Sequence, residues 1–159
     1  MTTLAFTILG EPASKANSRE IVSRRYRDED GAVKSRPMSI KSDKALTYER
    51  RALRQIPQNC RVQLSGPVCV TLRIFYANER PDLDESVVLD VLQNRYATVR
   101  RRGVKVRELI HEGVYVNDRQ VREKHVYHGI DRTNPRVEVI VEPLAAQQAA
   151  LALELDPFG

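Results

Sequence analysis

Asp82 and Asp84 flank a single residue, Leu83, and Asp118 follows Asn117 further along the chain. Carboxylates two positions apart in an extended segment point to one side, so this pair is set to grip one cation while Leu83 turns toward the core. Hard carboxylate oxygens suit Mg²⁺, which takes one or two of them and completes its shell with water and substrate phosphate; Mn²⁺ is the natural substitute. Asp118, in a turn-favouring stretch at the start of a later strand, is the candidate third ligand, because strand ends distant in sequence can converge. A cation held there lowers the pKa of bound water and draws charge from a reacting phosphoryl group. Each aspartate also has a plainer reading as a turn former or helix N-cap, Asp84 most of all, since a helical pattern starts just after it.

The basic residues suggest the partner. The chain carries 26 Lys and Arg against 21 Asp and Glu, a formal charge of +5, and such an excess favours a polyanion. Arg100, Arg101, Arg102, Lys105 and Arg107 form the densest basic block and are candidates for phosphate contact. The stretch around Arg24, Arg25 and Arg27 is a weaker candidate, because Asp28, Glu29 and Asp30 offset it. A solvated basic surface is the alternative for both.

Other chemistries find no support. His111, His125 and His128 form no HExxH-like ligand helix, and Cys60 and Cys69 lack CxxC spacing, so zinc is not indicated and both cysteines read as ordinary thiols. There is no Gly-rich phosphate loop and no Ser-His-Asp context. Aromatic content of 6% argues against a binder that stacks single-stranded bases. No run of apolar residues is long enough to span a membrane and no signal peptide is evident, so the expected location is the cytoplasm.

The elements that must position these residues follow from periodicity. Leu4, Phe6 and Ile8 alternate as a first strand ending at Gly10 and Pro12. Residues 14–41, polar and Arg-rich, read as a long mobile basic loop. Ser42 is a plausible N-cap for a helix carrying Ala45, Tyr48, Ala52, Leu53 and Ile56 and ending near Pro57. Val68, Val70, Leu72, Ile74 and Tyr76 mark the central strand, with the acidic run just after it. Val87, Val88, Val91, Leu92 and Tyr96 mark a second helix of modest propensity. The stretch 99–111 follows no clear pattern; 115–127 and 137–141 read as strands joined by a turn at 131–135. The expectation is a single small α+β domain over residues 1–143 and a tail, 144–159, with a short helix and an exposed apolar, acidic tip.

Arg80-Pro81-Asp82-Leu83-Asp84, then a helix with Leu89-Asp90-Val91-Leu92, then Val116-Asn117-Asp118-Arg119-Gln120-Val121, together resemble the RusA family of Holliday-junction resolvases. A weaker echo lies in Gly10-Glu11-Pro12-Ala13-Ser14-Lys15. The resemblance implies a mixed sheet of about four strands with helices packed on it, pairing into a homodimer. It implies that Asp82, Asp84 and Asp118 are the metal-binding and catalytic acids, with Mg²⁺ or Mn²⁺ as the ion. It further implies that the substrate is branched, four-way junction DNA nicked symmetrically in recombination or repair.

The chain departs from the family pattern where Glu85 stands in place of Asn and Val88 in place of a helix Lys, and the interval from Asp84 to Leu89-Asp90 looks about two residues short. Lys15, Arg80, Arg122 and Lys124 are candidates to supply a cation instead, the first two and Lys124 as DNA contacts. Glu85 reads as a fourth oxygen ligand or as a first-turn acid favoured by the helix dipole, and Asp90 is equally open. Two other readings stand beside the nuclease: a junction-binding protein that does not cut, and a replication or recombination accessory whose tip, Leu153 to Phe158, docks in a partner.

Overall fold

The computed structural model describes residues 3–144; the tail expected to form a helix and tip lies outside them from residue 145 onward. The chain runs through β1 (Leu4–Leu9), β2 (Arg19–Arg27), β3 (Val33–Lys41), α1 (Asp43–Gln55), β4 (Val68–Tyr76), α2 (Ser86–Leu92), β5 (Arg95–Arg101), β6 (Val104–His111), β7 (Val121–Ile130) and β8 (Arg136–Pro143). Four of the strands form a mixed sheet in the order β1-β8-β4-β7. β4 pairs antiparallel with β8 and parallel with β7. It is a single small α+β domain, as the sequence leads one to expect.

Alternation in β4 makes the core. Val68, Val70, Leu72, Ile74 and Tyr76 are fully buried on one face, where they meet Ile8 of β1 and Val137, Val139 and Val141 of β8 beneath α1 and α2. Each such side chain contributes about 1.5–3 kcal/mol by leaving water. Ser42 caps α1, its Oγ accepting from the Ala45 N–H at 3.2 Å, and the helix stops at extended Ile56, ahead of Pro57.

Several expectations are corrected. The segment 14–41 is not a loop: a 3-10 turn at Lys15–Asn17 leads into the β2–β3 hairpin, whose strands pair from Arg19↔Lys41 to Arg27↔Val33. The acidic residues beside the Arg cluster make its turn. Asp28 Oδ1 accepts from the N–H groups of Asp30 and Ala32, and Gly31 takes φ +78°, a conformation glycine adopts without penalty. The stretch 99–111 is most of a second hairpin, β5–β6, closed by Arg102 and Gly103, both at positive φ, the geometry of a two-residue turn matched to strand twist. β7 starts at Val121, not Tyr115, and α2 ends at Leu92, leaving Tyr96 in β5.

That early end has a cause. The segment after β6 crosses so close that a Cβ on Gly113 would sit 2.4 Å from the Gln93 carbonyl carbon. Val114 N–H donates to Leu92 O at 2.8 Å and Asn94 N–H to Tyr115 O at 3.1 Å. The backbone groups past Leu92 are thereby paired across the chain, not along a helix.

Candidate functional site

Asp82 and Asp84 lie in the loop that links β4 to α2, several residues beyond the strand end, not directly after it. Leu83 packs on the core as expected, but the two acids differ: Asp82 is exposed and Asp84 buried. The loop is tied down at both sides. Tyr76 Oη donates to Asp82 O and Lys15 N–H donates to the same carbonyl, each at 3.4 Å. Ala77 N–H donates to Glu11 Oε2 at 2.8 Å. Burial pushes the Tyr76 hydroxyl up to about 12, and the nearby carboxylates of Asp84, Glu11 and Asp82 add to it. Glu11 is thus a third acid beside the pair, carried in by the turn after β1, with no role legible in its sequence context.

Asp84 Oδ1 accepts from the Ser86 N–H at 3.0 Å and the Ser86 hydroxyl at 2.6 Å. The plainer reading of Asp84 as a turn former ahead of a helix therefore holds, and Oδ2 takes no hydrogen bond from a described residue. Asp118 arrives from the far side. Asn117 Oδ1 accepts from Arg119 N–H at 2.9 Å and Gln120 Oε1 from Asn117 N–H at 2.8 Å, a reciprocal cap. Gln120 Nε2 also reaches the carbonyls of Leu64 and Gly66 at 2.7 and 2.8 Å. The Asn and Gln of the motif are thus the frame that displays exposed Asp118.

Gln93 joins this turn to α2, accepting from Asp118 N–H at 3.0 Å while its Nε2 donates to Asp90 Oδ1 at 2.7 Å. Asp118 then shares a 270 Å³ cleft with Ser86 and Asp90 of α2, Ser18 and Arg19 at the start of β2, and Lys41 at the end of β3. Ser86, which holds Asp84, lines that cleft with Asp118, whereas the Asp82 carbonyl is tied to Lys15. The three acids do not form a group whose donor atoms lie within 4.8 Å of one another.

Among the described residues such a group is made by Cys69, Glu123 and His125, on the sheet face away from α1 and α2. Burial and the adjacent carboxylates of Glu123 and Glu142 push the Cys69 thiol up, which disfavours the thiolate a soft metal requires.

Behind the cleft lies an ion cluster. Glu49 of α1, 3% exposed, binds Lys41 Nζ with one oxygen and Arg95 Nη2 at 3.2 Å with the other. Asp90 Oδ2 takes Lys41 at 2.6 Å and Arg95 at 3.6 Å. Burial opposes charge on Asp90, but Lys41 and Arg95 outweigh it and hold its carboxyl below the usual value. Asp90, open between two roles in the sequence, is an ion-pair residue.

The expected cations fall into two places. Lys124 of β7 binds Glu85 at 2.8 Å, and this bond, with Lys15 nearby, holds the Glu85 carboxyl low; Glu85 is engaged there. Arg80 is exposed in the acid loop and Arg122 exposed at the start of β7. Val88, at the spacing of the family's helix Lys, is fully buried, so that side of α2 is core. Arg100, Arg101, Arg102, Lys105 and Arg107 are all exposed on the β5–β6 hairpin. No described helix is long and apolar enough to cross a membrane. No protein-family model matches the chain, and no curated protein matches it.

Proposed function

We propose that the chain is a Mg²⁺- or Mn²⁺-dependent endodeoxyribonuclease, RusA-like, that resolves four-way DNA junctions or related branched DNA by paired symmetric nicks in recombination or repair. The observation that carries this reading is the set of carboxylates around the start of α2, where Ser86 holds Asp84 and lines one cleft with Asp118, Arg19 and Lys41. Asp82, Asp84 and Asp118 would hold the ion, their hard oxygens fitting Mg²⁺ or Mn²⁺, with water and phosphate completing the shell. A bound ion supplies activated water and charge withdrawal at the phosphate.

The chain's own groups do the rest. The Ser86 hydroxyl fixes Asp84 through Oδ1 and leaves Oδ2 for coordination. Lys124 and Lys15 set positive charge against the acid loop, where a phosphate would otherwise meet only carboxylates. The β5–β6 cations meet the DNA backbone. Paired nicks call for two sites, hence a homodimer.

The test is incubation with a mobile four-way junction and Mg²⁺ or Mn²⁺, beside Asp82→Asn, with products resolved on a denaturing gel. Symmetric, metal-dependent nicks that vanish in the variant are expected, with junction binding retained. Tight binding without nicks under either metal would overturn the nuclease reading in favour of a junction binder that does not cut.

A further inference from the structure

Two features of the hairpins lack an explanation in the domain's own stability. A two-stranded ribbon is at best marginal in water without a third strand or a packed face, yet every residue of β2 is exposed and β6 has seven exposed residues of eight. Register also opposes like charges. Arg24 lies across from Arg36 in β2–β3, and Arg100 across from Lys105 in β5–β6. Directly opposed like charges destabilise a ladder, and no acid stands in the adjacent pairs of either face to offset them, Glu20 lying two pairs from Arg24. On the first, the neighbouring pairs are Val22/Met38 and Tyr26/Lys34. On the second, the adjacent pair is Thr98/Arg107, while Glu108 lies on the reverse face, bound to Arg101.

The same cationic faces each carry an arginine over a tyrosine. The Arg36 guanidinium lies 5.4 Å from the Tyr26 ring centre and that of Arg107 4.1 Å from Tyr96. Stacking of this kind holds the planar fork in place while its donors stay free for an anion. Two hairpins remote in sequence thus present similar faces, each with an opposed cation pair and a stacked arginine, which is Arg36 of the pair itself in β2–β3 and Arg107 of the next pair in β5–β6. Both grow from one point, since Lys41 ends β3, Arg95 begins β5, and both bind buried Glu49.

We propose that the β2–β3 and β5–β6 hairpins are two arms that grip double-helical DNA, with Arg24/Arg36 and Arg100/Lys105 as paired phosphate clamps and Glu49 as the shared anchor. A two-stranded ribbon fits the major groove, and a phosphate between opposed cations removes the repulsion that the register builds in. This deepens the reading above, from which it takes DNA as the partner, but it does not depend on cutting.

The test is binding of a fluorescein-labelled four-way junction in EDTA at several salt concentrations, where cleavage plays no part. Arg24→Ala/Arg36→Ala and Arg100→Ala/Lys105→Ala should each weaken binding about tenfold and lower the slope of log Kd against log salt by about two. Arg24→Lys/Arg36→Lys, which keeps both charges in register, should retain the slope. Arg25→Ala, on the reverse face of the same ribbon, should change affinity by less than about threefold, as one phosphate contact or none would. Wild-type slopes in both alanine doubles would overturn the clamps, as would an Arg25→Ala loss equal to theirs. Tighter binding of duplex RNA than of the junction would overturn DNA as the occupant. Absence of nicks in the metal assay with these results intact would fell the nuclease reading and leave the arms standing.

Discussion

Asp84 has two demands on one carboxylate. As the residue that turns the chain into α2 it must accept from Ser86, and in the proposed role of metal ligand it must keep an oxygen open; taking both Ser86 bonds on Oδ1 reconciles them. Removing the hydroxyl with Ser86→Ala leaves the backbone bond and lets the carboxylate swing. A hydrogen bond to a charged group contributes about 1.5–3 kcal/mol, so junction nicking should fall at least about tenfold, with more Mg²⁺ needed for half-maximal rate. Titrating Mg²⁺ against cutting rate for the two proteins would check this, and an unchanged rate would show that Asp84 needs no such restraint. The carboxylate types and the DLD spacing were readable in the sequence. Glu11 was not, because its place beside the pair depends on where the turn after β1 lands, and the burial of Asp84 was hidden by a loop longer than the spacing suggests.

At the level of elements, the site depends on short pieces with little stability of their own. α2 has seven residues, three of them valines, which lose rotamer freedom in a helix, so packing under α1 and the crossing at Gly113 must hold it. The Asn117–Gln120 turn is secured by side-chain bonds to Leu64 and Gly66. Gln120→Ala would remove these and its half of the cap, taking a partner from the Asn117 N–H and the Gly66 carbonyl while Leu64 O keeps the Val116 N–H, at a cost of about 1–3 kcal/mol. The expected result is a lower unfolding temperature and slower nicking, because Asp118 loses its frame, with junction affinity in EDTA unchanged; unchanged nicking would detach the turn from the site. The core strands were legible because one face is apolar and one polar. The two hairpins were not, since both faces of β2 meet solvent and no apolar alternation exists to be seen; only Asp30-Gly31 and Arg102-Gly103 hinted at their turns.

For the molecule as a whole, the cluster behind the cleft joins α1, α2 and both hairpins, so its ionisation reaches overall stability. Asp90 is held below its ordinary value of 3.8, which means the folded state binds its proton less readily than the unfolded chain. Its contribution is therefore present above the unfolded value and lost as pH falls through the lower, folded one. Lys41 behaves in the opposite sense. Burial works against its charge, but Asp90 and Glu49 prevail and hold it above 10.5; its contribution is present below that value and lost as pH rises through the higher, folded one. Unfolding temperature should thus hold level between these limits and drop at both ends. In Asp90→Asn the acid-side drop should be shallower, and the alkaline drop should begin nearer 10.5, because Lys41 has lost one of the partners that raise it. Thermal melts of both proteins from pH 2 to 11 would read this directly. An acid limb unchanged by the substitution would mean that the carboxylates governing acid unfolding lie elsewhere, with Asp131, held low by Arg136, the next to replace.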